Sequence, residues 1–94
     1  MDEGLRVLQV GCGGISRLWI DAVRASADAE AVGFVDLDPE RARDAARRAD
    51  SPAPTGTDLR AMLASVRPDV VFDCTVPEAH RDVAITALEA GCHV

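Results

Sequence analysis

The clearest chemical signal in this chain is a glycine-rich run, Gly11-Cys12-Gly13-Gly14-Ile15-Ser16. It follows a strand-like apolar stretch, Leu5–Val10, and opens a stretch with the apolar spacing of a helix. Gly11 permits a sharp turn out of the strand, and Gly13 lets the backbone approach a bound group closely. The first amides of a helix lack intrahelical partners and lie at the positive end of its dipole. The turn is therefore suited to bind an anion such as a pyrophosphate.

An acidic residue stands at the spacing that such a turn requires. Asp36 follows a second apolar stretch, 31–35, twenty residues after Ser16. This order of elements is a dinucleotide-binding fingerprint: a strand, a glycine turn, a helix, a second strand and then an acidic residue. In it the carboxylate of the acidic residue accepts hydrogen bonds from ribose hydroxyls. Its charge would repel a 2′-phosphate, so we expect NAD rather than NADP, although Arg41 could weaken that preference. Ser16 replaces the usual third glycine, which is a small departure from the pattern.

Two other interpretations of the glycine turn stay open. It could be a purely structural turn of another α/β protein, with Asp36 acting only as a loop or capping residue. Methyltransferases also have a glycine turn after their first strand, usually with an acid two residues before the first glycine. That position is Gln9 in this chain, which argues against a methyltransferase.

Strand-like and helix-like segments alternate along the chain, which predicts a parallel sheet with crossover helices. We predict strands at 5–10, 31–35 and 69–73, a very short strand near 53–55, the start of another at 92–94, and helices over 15–27, 38–49, about 58–63 and 78–90. The expected fold is α/β, a Rossmann-type doubly wound parallel sheet truncated at about the start of strand five. Residues 1–94 would form one dinucleotide-binding domain, and the abrupt end indicates a fragment of a longer protein.

Composition narrows the class of protein. The chain has 94 residues, 48% of them hydrophobic, and a net charge of −6, which favours a packed domain and argues against a nucleic-acid surface. No apolar run approaches the roughly 20 residues of a membrane span, and the acidic start is unlike a signal peptide. Three cysteines without metal-ligand spacing predict reduced thiols in a cytoplasmic protein and no metal site. Cys12 and Cys74 follow strands expected to be neighbours, so their thiols could lie close together.

Four segments resemble the Gfo/Idh/MocA family, named for glucose–fructose oxidoreductase and inositol dehydrogenase. They are residues 10–16, 35–42, 69–80 and 87–94, and their order and spacing are more specific than any one of them. The resemblance implies an N-terminal Rossmann domain of an NAD(P)-dependent oxidoreductase that acts on sugars, polyols or related compounds. It also implies a C-terminal substrate domain, absent from this chain, and a parent protein that assembles as a homo-oligomer.

The resemblance also implies which residues contact the cofactor: Gly11, Cys12, Gly13, Gly14, Ile15, Ser16, Asp36, Leu37, Arg41, Thr75, Val76, Pro77 and His80. In the family, a Glu-Lys-Pro motif with a catalytic lysine follows the segment that ends here at Val94. The chain contains no lysine, so we expect no catalytic residue within it and no substrate binding without the second domain. Two alternatives remain: a non-catalytic nucleotide-binding or sensing module, and a truncated chain that binds nothing.

Four further residues have competing interpretations. His80 could serve proton chemistry, but its place near the cofactor favours a positioning role, with a purely structural role equally open. Asp73 is expected to bond local backbone at a strand end, and His93 to be an ordinary strand residue. Trp19 is expected to belong to the core of the first helix rather than to a stacking surface.

Overall fold

The computed structural model describes residues 4–13, 16–75 and 77–94. Its elements are β1 (Leu5–Val10), α1 (Ser16–Ala25), β2 (Ala29–Val35), α2 (Pro39–Arg48), β3 (Thr55–Gly56), α3 (Leu59–Val66), β4 (Val70–Asp73) and α4 (Pro77–Glu89). The predicted alternation of strands and helices is confirmed. The boundaries differ by a few residues, since α1 ends earlier and β2 begins earlier than the sequence pattern indicated.

The four strands form one parallel sheet in the order β3-β2-β1-β4. From β1 the chain steps to β2 and β3 on one side, then crosses back to place β4 on the other side of β1. His93 makes a parallel bridge to Val70 at the outer edge of β4, where the sequence predicted a further strand to begin. The Rossmann-type doubly wound topology is therefore confirmed.

Apolar side chains pack on both faces of the sheet. One cluster joins the sheet to α1 and α2 through Ile20, Phe34, Ala42, Ala45 and Ala46. The other joins it to α3 and α4 and contains Leu8, Val10, Val35, Met62, Leu63, Val66, Val71, Val83, Ala87 and Cys92. Phe34 and Val35 point to opposite faces, as neighbouring residues of a strand must. The candidate site is built on the ends of the strands that these two clusters enclose.

The sequence has helix-capping residue types at Asp38 followed by Pro39, at Thr57 or Asp58, and at Gly91, which predicts the starts of α2 and α3 and the end of α4. The Asp38 carboxylate accepts a hydrogen bond from the Glu40 amide at 2.9 Å, and Pro39 occupies the first turn of α2. Asp58 rather than Thr57 caps α3, accepting from the Ala61 amide at 3.1 Å. After α4, Gly91 has a φ of +85°, which confirms its predicted role in ending that helix.

The prediction that Trp19 is a core residue is wrong. Helix α1 turns Ser16, Ile20 and Val23 toward the sheet, and this spacing leaves Trp19 on the flank of the helix. Its side chain is 49% exposed and lies against Phe72 of β4, with ring centroids 5.2 Å apart and a tilt of 59°. Leu18 is exposed as well. Hydrophobicity alone did not reveal which side of the helix faces the sheet.

Candidate functional site

The carboxyl ends of β2, β1 and β4 lie side by side at one edge of the sheet. Val10 pairs with Asp73 at the last register position of β1 and β4. The Gly11 amide donates to the Val35 carbonyl of β2 at 2.8 Å. The glycine turn thus begins between its two neighbouring strands, where the strand order reverses. Ligands of open α/β sheets bind in the crevice at such a reversal.

The first glycine of the turn is required by the geometry around it. Gly11 has a φ of +84°, in the region that favours glycine. A Cβ atom there would lie 2.6 Å from the carbonyl carbon and oxygen of Cys74. At Gly13, by contrast, a Cβ would have no described atom within 4 Å. Gly11 therefore packs against the backbone that follows β4, while the described residues leave the space beside Gly13 open to a bound group.

Ser16 stabilises the end of the turn that leads into α1. Its side chain is fully buried at the start of α1, and its hydroxyl donates to the Gly13 carbonyl at 2.6 Å. The Ser16 amide donates to the same carbonyl at 3.1 Å. The serine that departs from the glycine pattern is thus small enough for close helix packing and adds a hydrogen bond that glycine could not make.

Asp36 connects the glycine turn to the loop after β2. Its Oδ2 accepts from the Cys12 amide at 2.8 Å, and its Oδ1 accepts from the Asp38 amide at 2.8 Å. A carboxylate has about four acceptor positions on its two oxygens. Two backbone bonds therefore leave capacity for further donors, such as a pair of hydroxyl groups.

The Cys12 thiol is held in its protonated form. Partial burial, followed by the nearby negative charge of Asp36 and then Cys74, raises the pKa of Cys12 to about 12. Its sulfur lies 3.5 Å from the Val35 carbonyl. Cys12 and Cys74 are both free thiols and follow the neighbouring strands β1 and β4. Burial also raises the pKa of Cys74, against the opposing effect of a hydrogen bond from Gln9.

A cleft of about 380 Å³ lies beside the turn, between α1 and α2. Its lining includes Gly13, Ser16, Arg17, Arg41 and Arg48. A hollow of about 440 Å³ elsewhere is lined in part by the end of α1 and the start of β2, and none of its lining residues belongs to the glycine turn.

Two predicted contact residues follow Asp36. The Leu37 side chain is 91% exposed. The exposed Arg41 guanidinium has its Nε 3.8 Å from Asp38 Oδ2. Both residues therefore lie on the accessible rim beside Asp36.

A second polar cluster lies at the end of β4 and was not predicted as a unit. Asp73 Oδ1 accepts from the Thr75 amide at 3.1 Å and from the Thr75 hydroxyl at 2.5 Å. His80 Nδ1 lies 2.9 Å from Asp73 Oδ2 and 3.2 Å from Thr75 Oγ1. The predicted local role of Asp73 is confirmed, but its contact with His80 was missed. An aspartate at a strand end with threonine two residues on and histidine seven residues on was the available signal.

The structure brings the predicted residues together at this one edge, with a few exceptions. Gly14, Ile15, Val76 and the side chain of Pro77 lie outside the described residues. Gln9, which argued against a methyltransferase, is buried and donates through Nε2 to the Gly11 carbonyl at 3.1 Å. Within the described ranges, no group of three or more His, Cys, Asp or Glu side chains is placed to hold a metal ion.

A sequence profile for a family described as "Oxidoreductase family, NAD-binding Rossmann fold" matches residues 5–94. The chain belongs to this GFO_IDH_MocA family. The predicted family resemblance and NAD-binding Rossmann domain are thereby confirmed. The family assignment also removes the methyltransferase alternative.

Two curated relatives of this GFO_IDH_MocA chain align along most of its length. It is 37% identical over 95 residues to the D-glucoside 3-dehydrogenase of Escherichia coli K12, covering 96% of this chain and 26% of that protein. It is 33% identical over 87 residues to the L-aspartate dehydrogenase of Cupriavidus necator, covering 93% of this chain and 32% of that protein. The chain thus spans about a quarter to a third of these relatives.

A solved structure supports the same fold. The WlbA dehydrogenase from Chromobacterium violaceum, in complex with NADH and UDP-GlcNAcA, superposes with a TM-score of 0.91 at 33% identity. The match covers 100% of this chain and 27% of that one. In the described part of the GFO_IDH_MocA chain, no helix is both long and apolar enough to cross a bilayer.

Proposed function

We propose that the strand-end edge of this NAD-binding domain holds the dinucleotide with its pyrophosphate over the glycine turn and its adenosine ribose at Asp36. The observation that carries the assignment is the pair of backbone hydrogen bonds to Asp36, which fix the carboxylate beside the turn. The open side of Gly13 would accept the pyrophosphate at the amino-terminal end of α1, where the helix dipole is positive. Leu37 would cover part of the adenosine.

We propose NAD rather than NADP as the preferred cofactor. The Asp36 carboxylate would accept ribose hydroxyls but repel a 2′-phosphate at the same place. Arg41, which could weaken that preference, lines the cleft, but its Nε lies 3.8 Å from the Asp38 carboxylate, which partly offsets its charge. Arg17 also lines the cleft.

We propose that the parent protein is an NAD(P)-dependent oxidoreductase acting on a hydroxyl or carbonyl carbon of a sugar, polyol or related compound. The names of the glucoside and aspartate dehydrogenase relatives support dehydrogenase chemistry. The nicotinamide supplies the hydride chemistry when bound, and this domain binds and orients it. The catalytic lysine and the substrate-binding residues would come from outside these 94 residues, which contain no lysine.

Free cysteines and the family resemblance bear on the cellular setting and the assembly of the parent. We propose a cytoplasmic protein, supported by three free cysteines with no disulfide among them. We propose that the parent forms a homo-oligomer through its substrate domain. A non-catalytic nucleotide-binding role for the chain by itself remains the second candidate, favoured by the absence of lysine.

The cofactor site is tested by titrating the ¹⁵N-labelled chain with NAD and, separately, with NADP. We expect amide shifts at Gly11–Ser16, Asp36, Leu37 and Thr75–His80, with tighter binding of NAD. A well-dispersed spectrum that responds to neither nucleotide would refute cofactor binding by this domain alone. For the parent, turnover with sugars and polyols, with L-aspartate as a comparison, would decide the substrate class.

A further inference from the structure

We infer that Asp73 and Thr75 hold His80 as its Nδ1–H tautomer, so that Nε2 offers a lone pair to a hydrogen-bond donor on the nicotinamide half of the dinucleotide. The tautomer is inferred only from the contacts among Asp73, Thr75 and His80 at the end of β4. The ligand contact rests on the proposed function.

The tautomer follows from counting protons in the cluster. An ionised carboxylate can only accept, so Asp73 Oδ2 must accept a hydrogen bond from His80 Nδ1–H across their 2.9 Å contact. Thr75 has one hydroxyl proton, and the 2.5 Å contact directs it to Asp73 Oδ1. The 3.2 Å contact between Thr75 Oγ1 and His80 Nδ1 is then satisfied only if Nδ1 carries the hydrogen.

In this cluster the Asp73 carboxylate is buried, whereas the His80 ring is partly exposed to solvent. The Asp73 side chain is only 9% exposed, so its carboxylate depends on the donors described here. The His80 side chain is 47% exposed. Among the described residues, none forms a hydrogen bond with Nε2, which lies on the ring edge opposite the anchored side. A buried anchor thus fixes a ring whose second nitrogen is free to accept.

The position of the cluster indicates which ligand group it would meet. Asp36 follows β2, the glycine turn follows β1, and the Asp73 cluster follows β4, in the spatial order of the sheet. A dinucleotide with its adenosine ribose at Asp36 and its pyrophosphate at the turn extends its other half toward β4. That half carries ribose hydroxyls and a carboxamide, which are donors suited to a neutral imidazole nitrogen.

The tautomer is tested on the free chain by long-range ¹H–¹⁵N correlation of the histidine rings at neutral to mildly alkaline pH. We expect a pyrrole-type Nδ1 and a pyridine-type Nε2 for His80. His93, the other histidine, provides an internal comparison in the same spectrum. A His80 ring with the proton on Nε2 would overturn the inference without any variant having to fold.

Two variants isolate the role of Asp73. Asp73→Ala removes the acceptor, and we expect the His80 signals to move toward the Nε2–H form that predominates in free histidine. Asp82→Ala removes the same charge from an exposed position two residues after His80, and we expect no change. If the folded Asp73→Ala protein keeps the Nδ1–H form of His80, Asp73 does not set the tautomer.

The ligand contact is tested by adding NAD to the same sample. We expect the Nε2 signal to shift as it accepts a hydrogen bond, and Asp73→Ala to weaken NAD binding by roughly three- to tenfold. Shifts at the glycine turn without a response at Nε2 would overturn the ligand contact while leaving the proposed function intact. No response anywhere would refute the proposed function and the ligand contact together, and the tautomer would still be decided by the free chain.

Discussion

The amide of Cys12 donates a hydrogen bond to the carboxylate of Asp36 at 2.8 Å, across the gap between the turn after β1 and the loop after β2. The residue expected to recognise the ribose is therefore also a structural part of the turn expected to hold the pyrophosphate. The second carboxylate oxygen accepts from the Asp38 amide, which ties the same group to the start of α2. One side chain thus sets the spacing between two parts of the proposed nucleotide site.

Replacing Asp36 with alanine should change both the strength and the selectivity of nucleotide binding. The variant loses the ribose acceptor and the repulsion of a 2′-phosphate, so we expect NAD affinity to fall and the NAD-to-NADP ratio to drop by about tenfold or more. Isothermal titration with each nucleotide measures this. Asp28→Ala, which removes the same charge just before β2 at the opposite edge of the sheet, is the control. Equal losses for both nucleotides would contradict the selectivity argument.

Alanine at the two described glycines of the turn should have opposite effects. Gly11→Ala places a Cβ 2.6 Å from the Cys74 backbone at a positive φ, and we expect a loss of about 2 kcal/mol or more in unfolding free energy. Gly13→Ala adds a methyl group at a position with no described atom within 4 Å, and we expect a stability change within about 0.5 kcal/mol but clearly weaker NAD binding. Urea denaturation and NAD titration separate the two quantities. A Gly13→Ala protein that binds NAD normally would show that the pyrophosphate does not approach this position.

Removing the Ser16 hydroxyl should loosen the turn modestly. Ser16→Ala deletes the 2.6 Å hydrogen bond to the Gly13 carbonyl, but that carbonyl keeps the Ser16 amide as a donor. We therefore expect a loss of about 1 kcal/mol in unfolding free energy rather than the larger cost of an orphaned group. Ser65→Ala, on an exposed position of α3, is the matched control and should be neutral. An equal effect in both variants would argue against a special role for the Ser16 hydroxyl.

The raised thiol pKa of Cys12 has two consequences. Since its pKa is about 12 in the folded protein and 9.0 ordinarily, we expect slow alkylation by iodoacetamide at pH 8 until the chain is unfolded in urea. Between those two values the unfolded chain has lost more protons than the folded one, so stability should fall as the pH rises above about 9.

Mass spectrometry of alkylated peptides and urea midpoints across pH 8–11 measure these effects. The Cys12→Ala variant should lose part of the alkaline destabilisation, with the remainder arising from Cys74 and Cys92, whose thiols also have a raised pKa. Rapid labelling of native Cys12 at pH 8 would contradict the buried, protonated thiol.

The amino-acid sequence by itself determined the local features of this domain. Alternating apolar segments, a glycine turn and the caps Asp38 and Gly91 predicted the order of elements, because propensities, turns and caps act over a few neighbouring residues. The spacing from the glycine turn to Asp36 also predicted the kind of ligand. None of these signals required knowledge of which strands pair.

Only the tertiary structure decided which distant residues meet. The crossover that places β4 beside β1 brings Cys74 against Gly11 and sets the Asp73–His80 pair beside the glycine turn. It also left Trp19 half-exposed against Phe72, although its apolar character had suggested a core position. These outcomes depend on how strands and helices pack across the whole sheet, and local sequence patterns do not encode that packing.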